Sequence, residues 1–185
     1  MGFNKSGLLK LFLTCAFPIH LWSILLVLAD FSWVTERTNR WDAFGLGGYA
    51  LVFAFVESML VFLVTLLLSF LIPKKWDSEK RLAFIGALVL LISLWAIISQ
   101  VYTRSGSTFL PDPELRSNPF FQSFPIYSIA ALVVAITVAL PVYLIIKSDR
   151  WVKITTSFIN RLSVLTLFYI LLDIVGLFLI VIRNI

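Results

Sequence analysis

Residues 46–72 read LGGYALVFAFVESMLVFLVTLLLSFLI, an unbroken apolar run with one ionisable side chain, Glu57. A bilayer core about 30 Å thick takes ~20 helical residues, and this run is long enough to cross it. A water-soluble helix of this length would keep a polar face. Pro73 closes the run, because proline cannot continue a helix. The reading is a transmembrane helix.

Four further stretches meet the same criterion, at 8–29, 82–102, 125–146 and 162–182. Composition agrees: 60% of the 185 residues are hydrophobic and 14% charged, where an ordinary soluble domain has roughly a quarter charged. The expected fold is all-α, a polytopic integral membrane bundle of about five transmembrane helices forming one domain over 1–185. Lys5 and Lys10 before the first run resemble the start of a signal peptide. However, the run contains Pro18 and His20 and shows no small-x-small cleavage site before Asp30, so it is expected to stay as a helix. Cys15 is the single cysteine, which rules out an intrachain disulfide and a multi-cysteine metal site.

The net charge of +5 is explained by topology rather than by nucleic acid, because Lys and Arg sit in short segments flanking the apolar runs. With the N-terminus inside, the inner segments hold Lys5, Lys10, Lys74, Lys75, Lys80, Arg81, Lys147, Arg150, Lys153 and Arg161. The outer ones hold Arg37, Arg40, Arg104, Arg116 and Arg183. The excess predicts a cytoplasmic N-terminus and an outside C-terminus, in a plasma membrane. Trp33 and Trp41 mark one interface and Trp76 and Trp151 the other, where amphipathic rings prefer to sit. Both inner loops, KKWDSEKR (74–81) and KSDRWVK (147–153), join a tryptophan to basic residues, which suits anionic lipid headgroups. On the outer side, Asp30–Phe44 is expected as a loop of mixed charge. Gly45-Leu46-Gly47-Gly48 is expected as a flexible lead-in to the second span. The longest connection, 103–123, carries Pro111, Pro113 and Pro119, with Ser123 as a possible cap for a helix that begins near Pro125.

Three ionisable residues fall within spans: His20, Glu57 and Asp173. An acid at the bilayer centre costs ~2.5–3.5 kcal/mol on insertion scales, so such groups face protein or water and find partners. By helical rise, His20 and Asp173 lie ~13 Å and Glu57 ~16 Å below the outer boundary, a common level. Helical spacing places His20 with Ala16, Ser23, Val27 and Asp30. It places Glu57 with Gly47, Ala50, Ala54 and Ser58, and Asp173 with Ser163, Thr166, Tyr169 and Gly176. Stripes of small and hydroxylated residues are what packed membrane helices present to one another. His20, Glu57 and Asp173 are therefore expected to face the bundle interior near one another, with Gln100 and Tyr169 completing a polar cluster. Two roles suit it: a hydrogen-bonded pin with protonated acids, or a proton or cation site. Paired metal-ligand spacing is absent, as are hydrolase, zincin, redox and nucleotide-binding motifs, so neither metal nor cofactor is expected. Pro18 and Pro141 interrupt the first and fourth spans as kinks.

These features favour a noncatalytic subunit or accessory protein of a membrane complex, embedded in the lipid bilayer and able to meet membrane-protein partners or a second copy of itself. The alternatives are a small proton- or cation-linked transporter using the intramembrane His, Glu and Asp groups, and a lipid-modifying membrane enzyme.

Overall fold

Asn4 opens the first helix, α1 (Lys5–Arg37), by accepting a hydrogen bond from the Gly7 amide at 2.7 Å. This is the role an N-cap asparagine plays for an otherwise orphaned amide. The helix runs through Pro18 and well past Ala29, ending at Thr38. Asn39 caps α2 (Arg40–Ser69), its side chain accepting from the Asp42 amide at 2.8 Å. The segment expected as a long outer loop is thus only a tight corner, Thr38 and Asn39, between two helices. Phe70, Leu71 and Ile72 tighten into i→i+3 turns before Pro73. The Arg81 guanidinium then donates to the carbonyls of Ile72 and Pro73, both at 3.2 Å, and holds the corner to α3 (Ser78–Arg104).

The computed structural model describes residues 3–73, 75–104 and 124–185. The proline-rich connection, its Arg116 and the expected cap Ser123 lie outside the described residues. α4 (Phe124–Lys147) contains Pro141, and Ser148 alone, with extended backbone, separates it from α5 (Asp149–Asn184). KSDRWVK and the residues up to Arg161, expected as a loop, are therefore mostly helix. Two anchors carry the helix through this polar stretch. Val152 packs with Ala83, Ala87 and Ile145, and Ile159 packs with Leu11, Cys15, Leu82 and Ile85. Helices in proteins gain most of their stability from such packing rather than from propensity. Among the described residues there are five helices, all α, each long and apolar enough to cross a membrane.

Among the described residues α1 packs against α2, α3 and α5, α5 touches the other four helices, and α4 touches only α3 and α5. The main apolar clusters lie at the basic end, where α1 begins and the α2–α3 and α4–α5 corners fall. Deeper in, α2 and α5 approach backbone to backbone. A Cβ on Gly48 would stand 3.0 Å from the Gly176 carbonyl oxygen, and one on Gly176 would stand 3.0 Å from that of Gly48. The glycine run read as a flexible lead-in is instead part of a helix contact, because only residues without a side chain admit this approach. At the end opposite the basic one, Arg183 pairs with Asp42 at 2.6 Å and Arg104 pairs with Asp30, tying α5 to α2 and α3 to α1.

Candidate functional site

α1, α2 and α5 meet around one imidazole. His20 is fully buried, and its Nε2 lies 2.9 Å from Asp173 Oδ2 and 3.1 Å from Oδ1. Its Nδ1 lies 2.8 Å from the Ala16 carbonyl oxygen and 3.4 Å from Ser58 Oγ. Tyr169 covers the ring in a stacked arrangement, with centroids 6.2 Å apart and planes 4° apart, and Phe17 stacks on Tyr169 in turn. The periodicities explain the meeting. Ser163, Thr166, Asp173 and Gly176 lie on the buried face of α5, and Ala54, Ser58 and Thr65 on that of α2.

The partners fix where the hydrogens lie. The Ala16 carbonyl can only accept, and the Ser58 hydroxyl already donates to the Ala54 carbonyl at 2.6 Å. Nδ1 therefore carries a hydrogen. One more hydrogen sits between Nε2 and the carboxyl group, either on the acid facing a neutral imidazole or on an imidazolium facing a carboxylate. Both arrangements carry zero net charge, which suits a pair shut away from water.

Glu57 does not join this pair. Expected to face inward beside Asp173, it is exposed, while its neighbour Ser58 is fully buried. Consecutive helical residues point ~100° apart, so packing Ser58 against His20 turns Glu57 to the bundle's flank. There it lines two adjoining clefts that share Glu57 and Ser23. One is walled by Pro18, Trp22, Ser93, Ile97 and Gln100, and the other by Val27, Asp30, Leu46 and Phe53. Together they form a groove along α1 from Pro18 to Asp30, bordered by α2 and α3. Helical rise gives that stretch a length of about 18 Å.

Gln100 lies in the groove and not in the buried cluster where it was expected. Its Oε1 accepts from Trp22 Nε1, and its NH₂ group makes no hydrogen bond among the described residues. Glu57 makes none either, nor an ion pair, among the described residues. Trp22 was not singled out from the sequence, although an indole N–H in mid-span needs an acceptor and could have been used to find one. No group of three or more metal-ligating side chains occurs among the described residues.

The site is thus in two parts: a sealed His20–Asp173 pair at the α1–α2–α5 junction, and an open groove whose carboxyl has no partner among the described residues. The protein that carries them is an all-α bundle of five helices of membrane-crossing length and hydropathy. No protein-family model matches the chain, and no curated protein or solved structure matches it significantly.

Proposed function

We propose that the chain is an integral membrane protein with a cytoplasmic N-terminus, serving as a noncatalytic subunit or accessory protein of a membrane complex. Its partner is a transmembrane helix that docks along the Pro18–Asp30 groove. The observation that carries this reading is Glu57, an acid in the middle of an apolar span, on the outside of the bundle and without a partner among the described residues. Facing lipid, it would cost ~2.5–3.5 kcal/mol. A partner helix offering a hydroxyl, amide or basic group at that depth removes the cost, and the free Gln100 NH₂ supplies a second hydrogen bond in the opposite sense. Polar groups used this way act as glue between membrane helices. His20–Asp173 then serves as the pin that fixes α1, α2 and α5 in register.

A photo-crosslinking residue placed at Phe53 or Ile97 on the groove, and at Ile136 on the outward face of α4 as control, tests this in native membranes. The expected result is a discrete adduct with a membrane protein from the groove positions only, lost on Glu57→Leu, with the crosslink mapped to a helix of that partner. Absence of an adduct, or equal adducts from Ile136, overturns the reading.

A second reading has its own observation in favour: the groove leads from Glu57 to Asp30 near the end of the apolar span, as a path for a proton or cation would. Purified protein in liposomes distinguishes the two. Flux under an ion or pH gradient that disappears in Glu57→Gln selects the transporter.

A further inference from the structure

The first three turns of α5 carry a face that the bundle does not use. Val152, Ile159 and Ser163 point inward. On the opposite side Lys153, Ser157 and Arg161 stand in line one turn apart. Ile154 and Phe158 flank them, 48% and 52% exposed, and the five residues line one surface hollow.

Both cations are unengaged among the described residues. Neither Lys153 nor Arg161 makes an ion pair among the described residues, and Lys153 has not closed on Asp149 one turn earlier. The hydroxyl between them, that of Ser157, has no hydrogen bond among the described residues either. Thr156, Ser163 and Thr166 turn theirs back to the carbonyl four residues before, at 2.7–2.8 Å, whereas Ser157 makes no such bond. Two cations thus converge on an open donor about 6 Å along the axis from each, with apolar side chains at their edge. Beyond Arg161 the same face continues as Leu165, Phe168 and Leu172, all exposed.

We propose that this face binds the phosphate of an anionic phospholipid. The phosphate sits against Ser157 between Lys153 and Arg161, and an acyl chain lies along Phe158, Leu165 and Phe168. Charge complementarity selects the headgroup, and the change from basic to apolar within one turn matches the headgroup–hydrocarbon boundary. A soluble phosphate would satisfy the cations but leave the flanking apolar side chains uncovered. The inference rests on the membrane placement proposed above, not on the groove.

The test is native mass spectrometry of the purified full chain, released from detergent micelles holding equimolar phosphatidylglycerol and phosphatidylcholine. The wild type is expected to retain one phosphatidylglycerol in preference. Lys153→Gln/Arg161→Gln should lower that preference about thirtyfold, the equivalent of ~1 kcal/mol per basic residue. Lys5→Gln/Lys75→Gln removes the same charge from the same end of the bundle and should leave it intact. Equal retention of the two lipids, or equal loss in the two double variants, overturns the site. Displacement of phosphatidylglycerol by an equal concentration of inorganic phosphate also overturns it, in favour of a soluble ligand. Retention of neither lipid overturns the membrane placement as well.

Discussion

Asp173→Asn and Asp173→Ala should affect the bundle very differently. His20 Nδ1 already carries a hydrogen because both groups facing it are acceptors. In the asparagine variant the imidazole is neutral, and its Nε2 lone pair accepts from the new amide across the same 2.9 Å contact. The change should cost no more than the ~0.6 kcal/mol typical of one hydrogen bond between membrane helices. Alanine leaves Nε2 orphaned in a fully buried position. That loss is about 1–3 kcal/mol. At about 1.4 kcal/mol per factor of ten, it lowers the folding equilibrium about 5- to 150-fold. Unfolding in mixed micelles of rising dodecyl sulfate fraction, followed by far-ultraviolet circular dichroism, measures both. If asparagine falls as far as alanine, His20 needs a charged partner, and the expectation that a neutral amide can replace the carboxyl group is refuted. If alanine has no effect, the pair is not a pin.

Gly176→Leu should destabilise the bundle by about 2 kcal/mol in the same assay, as overpacking a close contact does. Its Cβ would meet the Gly48 carbonyl at 3.0 Å, and an unchanged unfolding curve would contradict the backbone contact. Glu57→Leu should leave the unfolding curve of the isolated protein unchanged or shifted to higher detergent fraction, while abolishing the groove crosslink. Arg183→Ala removes a partly exposed ion pair with Asp42 and should shift stability by less than about 1 kcal/mol. Reporter fusions at Lys10, Lys75 and Lys153 should report cytoplasm and a fusion at Thr38 the outer side; the reverse pattern would overturn the orientation.

The helices were legible where apolar length alone decides them, and the 46–72 run shows this most plainly. Their ends were not. α1 reaches Arg37, and α5 begins at Asp149, because tertiary contacts at Val152 and Ile159 sustain a helix through residues whose own pattern reads as a loop. That His20 and Asp173 stand at matching levels of α1 and α5, where they meet, was readable from residue counting. The orientation of Glu57 was not, since Gly47, Ala50, Ala54, Glu57 and Ser58 span an arc of about 100° that fits one interface, and Glu57 lies at its edge, away from the buried Ser58, Thr65 and Ser69. The rotation of α2 is set by its close approach to α5 at Gly48 and Gly176, a contact between segments far apart in sequence. Gln100 failed as a member of the buried cluster because its helix turns it to the groove, where its Oε1 accepts from Trp22 Nε1.

The His20–Asp173 contact joins residues 153 positions apart, linking the first helix to the last. During synthesis the imidazole of α1 is made long before its carboxyl partner exists, with only Ser58 arriving in between. Until α5 is made, α1 carries a polar side chain whose Nε2 has nothing to bond. A chain cut before residue 173 therefore differs from a finished one at its other end, in a first helix that keeps the imidazole and loses the one group its Nε2 meets.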